Sequence, residues 1–216
     1  AAAFHLALVA YVPALMTEGA TAALWIIGAH LAQKSKESTS ASRYGWLSAC
    51  ALVLGASIMI RPQSAALVPV FGWLATGVGE SLRRRLAHTL CVTAIAGSVC
   101  APWVVRNQLR MNHAAVSFNG GWNLLIGTSQ SAGGTWAPLQ VPDACKLVFH
   151  EAEKDICFGR EARRIIAQAP VAWAMLIPQK LGVTFDYCGA AGWYLHTSNP
   201  SAFSYDWKVR LGVAET

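Results

Sequence analysis

Charge is scarce in this chain and unevenly spread. Only 13% of its residues are Asp, Glu, Lys or Arg, against roughly 25% in a soluble domain. Before Arg106 the only acidic residues are Glu18, Glu37 and Glu80, and the other eight of the eleven follow it. With 54% hydrophobic residues overall, the first half reads as a membrane region and the second as mixed, water-facing at least in part. Catalytic signatures are missing too. There is no Gly-x-Ser-x-Gly elbow, no phosphate loop ending in Gly-Lys-Ser/Thr and no His-Glu-x-x-His pair, which removes the enzyme classes built on them. The formal charge of +6 comes without basic stripes interleaved with stacking aromatics, so no nucleic-acid partner is expected. No Met or basic n-region opens the chain, and its apolar start and soluble-looking end, Lys208 to Thr216, read as those of an internal piece of a longer protein.

Apolar runs organise the first half. Ala1 to Met16 reads as the end of one span and Ala20 to Ala32 as a short second one, with a tight turn at Thr17-Glu18-Gly19. One long helix kinked at Pro13 is the competing reading, but it would carry Glu18 toward mid-bilayer at a cost of a few kcal/mol. Gly45 to Ile60 is the next span, Arg61-Pro62 a hairpin corner, Ser64 to Val78 the return and Thr89 to Val105 the last span. The polar loop from Gln33 to Arg43 and the Arg83-Arg84-Arg85 loop are separated by an even number of crossings, and both belong on the cytoplasmic side. Arg61 and the chain after Val105 then fall outside. Ten of the seventeen Lys and Arg residues also follow Val105, but the charge rule has little force over long translocated segments.

The expected fold is therefore mainly α. Polytopic transmembrane helices occupy residues 1–105, a small mixed extracytoplasmic segment with an interfacial helix occupies 106–180, and an interfacial or extracytoplasmic segment occupies 181–216. Gly120-Gly121 and Gly133-Gly134 predict turns around a short strand, Trp122 to Ile126. Glu151 to Ala169 predicts one or two helices, with Ala162, Ile165, Ile166 and Ala169 opposite Arg160, Arg163 and Arg164, ended by Pro170. Val171 to Phe185, interrupted by Pro178 and Lys180, reads as an interfacial or broken helix. Cys50, Cys91 and Cys100 sit in apolar runs as small core residues. Cys145 and Cys157 could form a disulfide if their segment is extracytoplasmic, which spacing alone does not decide. With His150 they match no zinc pattern, and neither a metal nor a cofactor is expected.

Three cations, Arg61, Arg106 and Lys180, fall on the outer side. They could hold the anionic group of a lipid-linked phosphate, a task that suits Arg, or simply snorkel from helix ends. Glu18 could bind a sugar hydroxyl, pair with Arg61, or serve as a helix N-terminal acid with Thr17 as cap. Asn107, Asn119 and Asn123 could hydrogen-bond sugar hydroxyls, with Trp122 or Trp136 stacking on a sugar face. Equally, the asparagines could build turns and the tryptophans an interfacial belt. Asp143, Asp155, Asp186 and Asp206 show no obvious partner.

Ala101-Pro102-Trp103, Arg106-Asn107, Asn119-Gly120-Gly121-Trp122-Asn123-Leu124 and Gly127 resemble bacterial membrane glycosyltransferases of the C-type superfamily related to protein mannosyltransferases and lipid A aminoarabinose transferase (glycosyltransferase family 39). Arg61-Pro62 matches an Arg-Pro pair in that family, and Ala162, Ile165-Ile166, Pro170 and Lys180 resemble its amphipathic helix, terminating proline and following lysine. The resemblance spans Pro13 to Phe185 and implies an integral protein of the bacterial inner membrane. It implies transfer of a sugar from a polyprenyl-phosphate donor to a lipid, glycan or protein, with Glu18, Arg61, Arg106, Asn107, Asn123 and Lys180 as binding residues. The family's catalytic carboxylate lies in a loop that this sequence does not contain, so no catalytic residue is assigned. A lipid-linked sugar flippase and a non-catalytic membrane scaffold are the competing readings.

Overall fold

The computed structural model describes residues 17–38, 41–77, 79–129, 138–185 and 190–215. The first expected span, Pro13, the Gly133-Gly134 pair, Trp136 and Asp186 lie outside them. The described residues are mainly helical and include no strand. They fall into two units, one running to Val116 and one from Ser117 onward.

The first unit packs α1 (Thr17–Glu37), α2 (Ala41–Ile60), a 3₁₀ segment (Pro62–Leu67), α3 (Val68–Leu74) and α4 (Leu82–Met111). Its core is Leu47, Cys50, Leu54, Val68, Val92 and Ala96 with smaller neighbours. Small residues set the crossings. A Cβ on Gly55 would lie 2.7 Å from Val99, and one on Gly72 would lie 2.8 Å from the Thr89 backbone. Glycine therefore lets α2 and α3 close onto α4, as in membrane helix packing. Two helices, α2 and α4, are long and apolar enough to cross a membrane. Residues 86–105 of α4 contain no Asp, Glu, Lys or Arg and extend about 30 Å, the thickness of the hydrocarbon core.

Several expectations change here. Thr17, Glu18 and Gly19 are helical rather than a turn. The return from Ser64 to Val78 is not one spanning helix. Pro69 near the start of α3 separates it from the 3₁₀ segment, and the two together reach only about 22 Å. α4 does not stop at Val105 but continues to Met111, passing through Pro102 and ending on Asn112 in the left-handed conformation (φ 58°). Cys50 and Cys100 are buried as expected, but Cys91 is exposed on α4. An apolar run in a membrane helix has an outward face as well as a core face, and composition does not tell them apart.

The second unit contains α5 (Gly120–Ile126), a 3₁₀ turn (Asp143–Cys145), α6 (Glu151–Gln168), α7 (Pro170–Ala174), α8 (Leu176–Phe185), α9 (Ala190–Ser198) and α10 (Tyr205–Glu215). The expected strand from Trp122 is thus a helix, and the described residues of the segment include no strand. The carboxylate of Asp155 accepts the Gly121 and Trp122 amides at 3.1 and 2.8 Å, satisfying donors that a helix start leaves unpaired. Glu151 onward forms a single helix. Its buried side is Ala152, Phe158, Gly159 and Ala162, so the core stripe begins nearly three turns earlier than the sequence suggests, and Ile165 and Ala169 are exposed. Pro170 ends α6 as expected, with Ala169 before it out of the helical region (φ −142°, ψ 62°). The following helix is broken at Met175, not at Pro178, which sits in the first turn of α8 where its missing N–H costs little. Cys145 and Cys157 are joined by a disulfide.

Candidate functional site

In the first unit α2 and α4 lie side by side and run the same way. Arg43 at the start of α2 pairs with Glu80 just before α4, and further along Gly55 of α2 meets Val99 and Ala96 of α4. Both helices then rise to the same end, where α2 finishes beside Arg61 and α4 carries Arg106.

Arg61 is gripped by α1. Its Nε donates to Thr17 Oγ1 at 2.7 Å, and its Nη2 donates to Glu18 Oε1. The pairing of Glu18 with Arg61 is thus realised. Both side chains are one-third exposed, so solvent screens the pair, and the guanidinium charge is offset by its neighbour. Glu18 Oε2 is buried and has no hydrogen-bond partner among the described residues.

Arg106 is held differently. Its Nη1 donates to Asn107 Oδ1 at 2.8 Å, and its guanidinium lies 4.7 Å from the centroid of the Trp103 ring. Among the described residues it has no carboxylate partner, so its positive charge is not cancelled locally. Asn107 is itself 2% exposed and donates through Nδ2 to the Ala115 carbonyl at 2.8 Å. That places Asn107 as a strut beneath Arg106 rather than as an open sugar contact. Trp103 Nε1 donates to the Val116 carbonyl at 3.1 Å, which fixes the ring that carries Arg106. Its role was not read from sequence, although Trp-x-x-Arg at helical spacing places the two on one face.

Asn123 and Lys180 belong to the second unit. Gly127 N–H donates to the Asn123 carbonyl, and Lys180 Nζ donates to the Gly127 carbonyl at 2.6 Å. Lys180 thus caps the C-terminal end of α5, where unpaired carbonyls and the helix dipole favour a cation. Asn123 is exposed. A cavity of about 300 Å³ lies nearby, lined by Leu125, Ile126, Thr128, Leu139, Gln140 and Ile165 among others.

Asp155, for which the sequence shows no obvious partner, holds the Gly121 and Trp122 amides. It lies on the stripe of α6 that buries Ala152, Phe158 and Ala162, and an acid on a buried stripe needs a partner. That stripe was the available signal. The sequence shows no obvious partner for Glu80 either. It pairs with Arg43, and its second oxygen lies 4.0 Å from His88 Nδ1. The hydrogen bond from Arg43 holds the Glu80 carboxyl below its ordinary value.

No protein-family model, curated protein or solved structure matches this chain.

Proposed function

We propose that this chain is part of a membrane glycosyltransferase that holds a polyprenyl-phosphate-linked sugar, with Arg106 and Arg61 facing the carrier phosphate on the extracytoplasmic side. One observation carries the reading. Two helices of membrane-spanning length rise together to an end that carries Arg61, Arg106 and Arg110, and among the described residues Arg106 is unopposed by an acid. A lipid phosphate sits at that depth, and guanidinium suits it by charge and by its fork of donors. The resting geometry ranks Arg106 above Arg61, because Glu18 already compensates Arg61. The disulfide between Cys145 and Cys157 supports an oxidising compartment for the second unit. Within these residues the chain's part is to bind carrier and sugar, and no catalytic base is assigned to it.

The test is binding of a C55 polyprenyl monophosphate to the protein in lipid nanodiscs. Arg106→Ala is expected to weaken it by about 10- to 100-fold, the worth of a charge-assisted contact of roughly 1.5–3 kcal/mol. Arg61→Ala should weaken it less. Unchanged affinity in both variants would remove the phosphate role and favour a scaffold whose arginines only anchor it.

A further inference from the structure

The first unit gathers a second set of cations at the end opposite Arg61 and Arg106. Arg83, Arg84 and Arg85 lie in the first turn of α4, and Arg43 lies in the first turn of α2, tied to the loop before α4 through Glu80. Ser35 Oγ donates to the Arg43 carbonyl at 3.3 Å. That contact brings the last turn of α1, with Lys34 and Lys36, to the same end. Over these segments six cations face two carboxylates, Glu37 and Glu80.

The protein's own groups leave much of this charge open. Arg85 is held as part of the fold: its Nη2 donates to the Gly77 carbonyl at 3.1 Å, and its guanidinium lies 5.2 Å from the centroid of the Trp73 ring. Arg43 takes up Glu80. It is only 15% exposed, and its Nε and Nη2 have no hydrogen-bond partner among the described residues. Its charge is thus screened less than one in open water. Arg83 and Arg84 are exposed and form no ion pair among the described residues.

Their place on α4 sharpens the point. The first turn of this 30-residue helix has no acid, and Ser81 supplies no side-chain cap. The positive end of a helix dipole favours an anion and disfavours a cation. Consecutive arginines there add to the dipole's potential rather than offset it, and an external anion balances both.

Depth selects the kind of anion. The charge-free stretch of α4 begins at Leu86, directly after Arg85, so in a bilayer Arg83 and Arg84 stand at the level of the headgroups. Tyr44, Trp46 and Trp73 are exposed at the same end, as aromatic residues are at a membrane–water interface. Guanidinium forks match phosphate oxygens, and basic sites beside membrane helices suit anionic headgroups. We propose that this end of the first unit binds the headgroup of an anionic phospholipid, its phosphate held by Arg83 and Arg84 with Arg43 adding charge from behind. The inference rests on α2 and α4 crossing a membrane and needs neither a sugar nor a polyprenyl carrier.

Native mass spectrometry of the full chain in a non-ionic detergent tests it. The probes are phosphatidylglycerol and phosphatidylcholine of the same acyl chains, both with a phosphate but only the first with a net charge. Phosphatidylglycerol should bind more tightly. Arg83→Gln combined with Arg84→Gln should cut that preference by about 5- to 30-fold, the worth of one or two basic residues near an anionic surface. The pair Arg83→Lys and Arg84→Lys keeps the charge, removes the fork and should recover only part of the preference. Full recovery in the lysine variant would reduce the site to diffuse attraction and overturn the proposal. So would equal binding of the two lipids, or a preference unchanged in the glutamine variant. Release of phosphatidylglycerol by millimolar inorganic phosphate would make the ligand a free anion and overturn the lipid assignment. C55 polyprenyl monophosphate should bind the glutamine variant as it binds the unsubstituted chain, and an equal fall would mean one shared site. Phosphatidylglycerol preference without any polyprenyl-phosphate binding would sink the carrier reading alone.

Discussion

Arg61 and Arg106 show how neighbours decide what an identical side chain can do. Both are arginines at the same end of the first unit, yet one is paired with an acid and the other rests on an indole and an amide. Asp155 makes the same point for a carboxylate, since two backbone amides convert an apparently partnerless acid into a cap for another helix. Asp155→Ala should cost about 1–2 kcal/mol, as loss of a cap does, read as a lower denaturation midpoint of the second unit. Glu80 provides a pH signature. The pKa of its carboxyl is lowered by the Arg43 bond, so its stabilisation is complete above the unfolded carboxyl value of about 4.3 and is lost as pH falls through the lower folded value. Stability measured from pH 6 downward should therefore fall in that acid window, and Glu80→Gln should flatten this part of the profile. An identical acid slope in the variant would show that the Arg43–Glu80 pair contributes nothing.

Elements depend on what packs beside them as much as on their own residues. Gly120-Gly121 looks like a turn because glycine is common there, but α5 begins at this pair because α6 offers a carboxylate and a glycine of its own. The two glycines are not equivalent. A Cβ at Gly120 meets nothing within 4 Å, while one at Gly121 runs into the α6 backbone. Gly120→Ala should change stability by less than about 0.5 kcal/mol, and Gly121→Ala should separate α5 from α6 at a cost of roughly 3 kcal/mol or more. Near-ultraviolet circular dichroism reads the difference through Trp122, and equal spectra would refute the close crossing. The prolines show the same dependence on place. Pro170 ends a helix and Pro69 helps divide one, whereas Pro178 lies harmlessly in a first turn and Pro102 is carried within the long α4.

At the scale of the molecule the issue is which solvent surrounds the first unit. Leu52 of α2 and Leu90 of α4 are 53% and 69% exposed, a pattern that suits lipid better than water. Among the described residues Cys91 is the exposed free cysteine, and Cys50 and Cys100 are buried. If α4 crosses a bilayer, Cys91 in a Cys188→Ser background should resist a charged, membrane-impermeant thiol reagent in intact membranes and react only after the membrane is dissolved. Rapid labelling in intact membranes, with Cys50 and Cys100 protected, would show that this face of α4 meets water.

Residue order alone determined the helical class, the apolar character of α2 and α4, the break at Pro170 and the separation of charge-poor and charge-bearing halves. These follow from local terms: hydropathy over a helix length, the missing amide of proline and the scarcity of carboxylates before Arg106. Tertiary structure decided the rest. It made a helix of the segment read as a strand, turned Cys91 outward, joined Cys145 to Cys157, paired Glu18 with Arg61 and gave Asp155 two amides to hold. Each of those outcomes depends on a partner brought close by packing, and the energy of a carboxylate, a thiol or an orphan amide is set by the group it meets, which its own position in the chain does not specify.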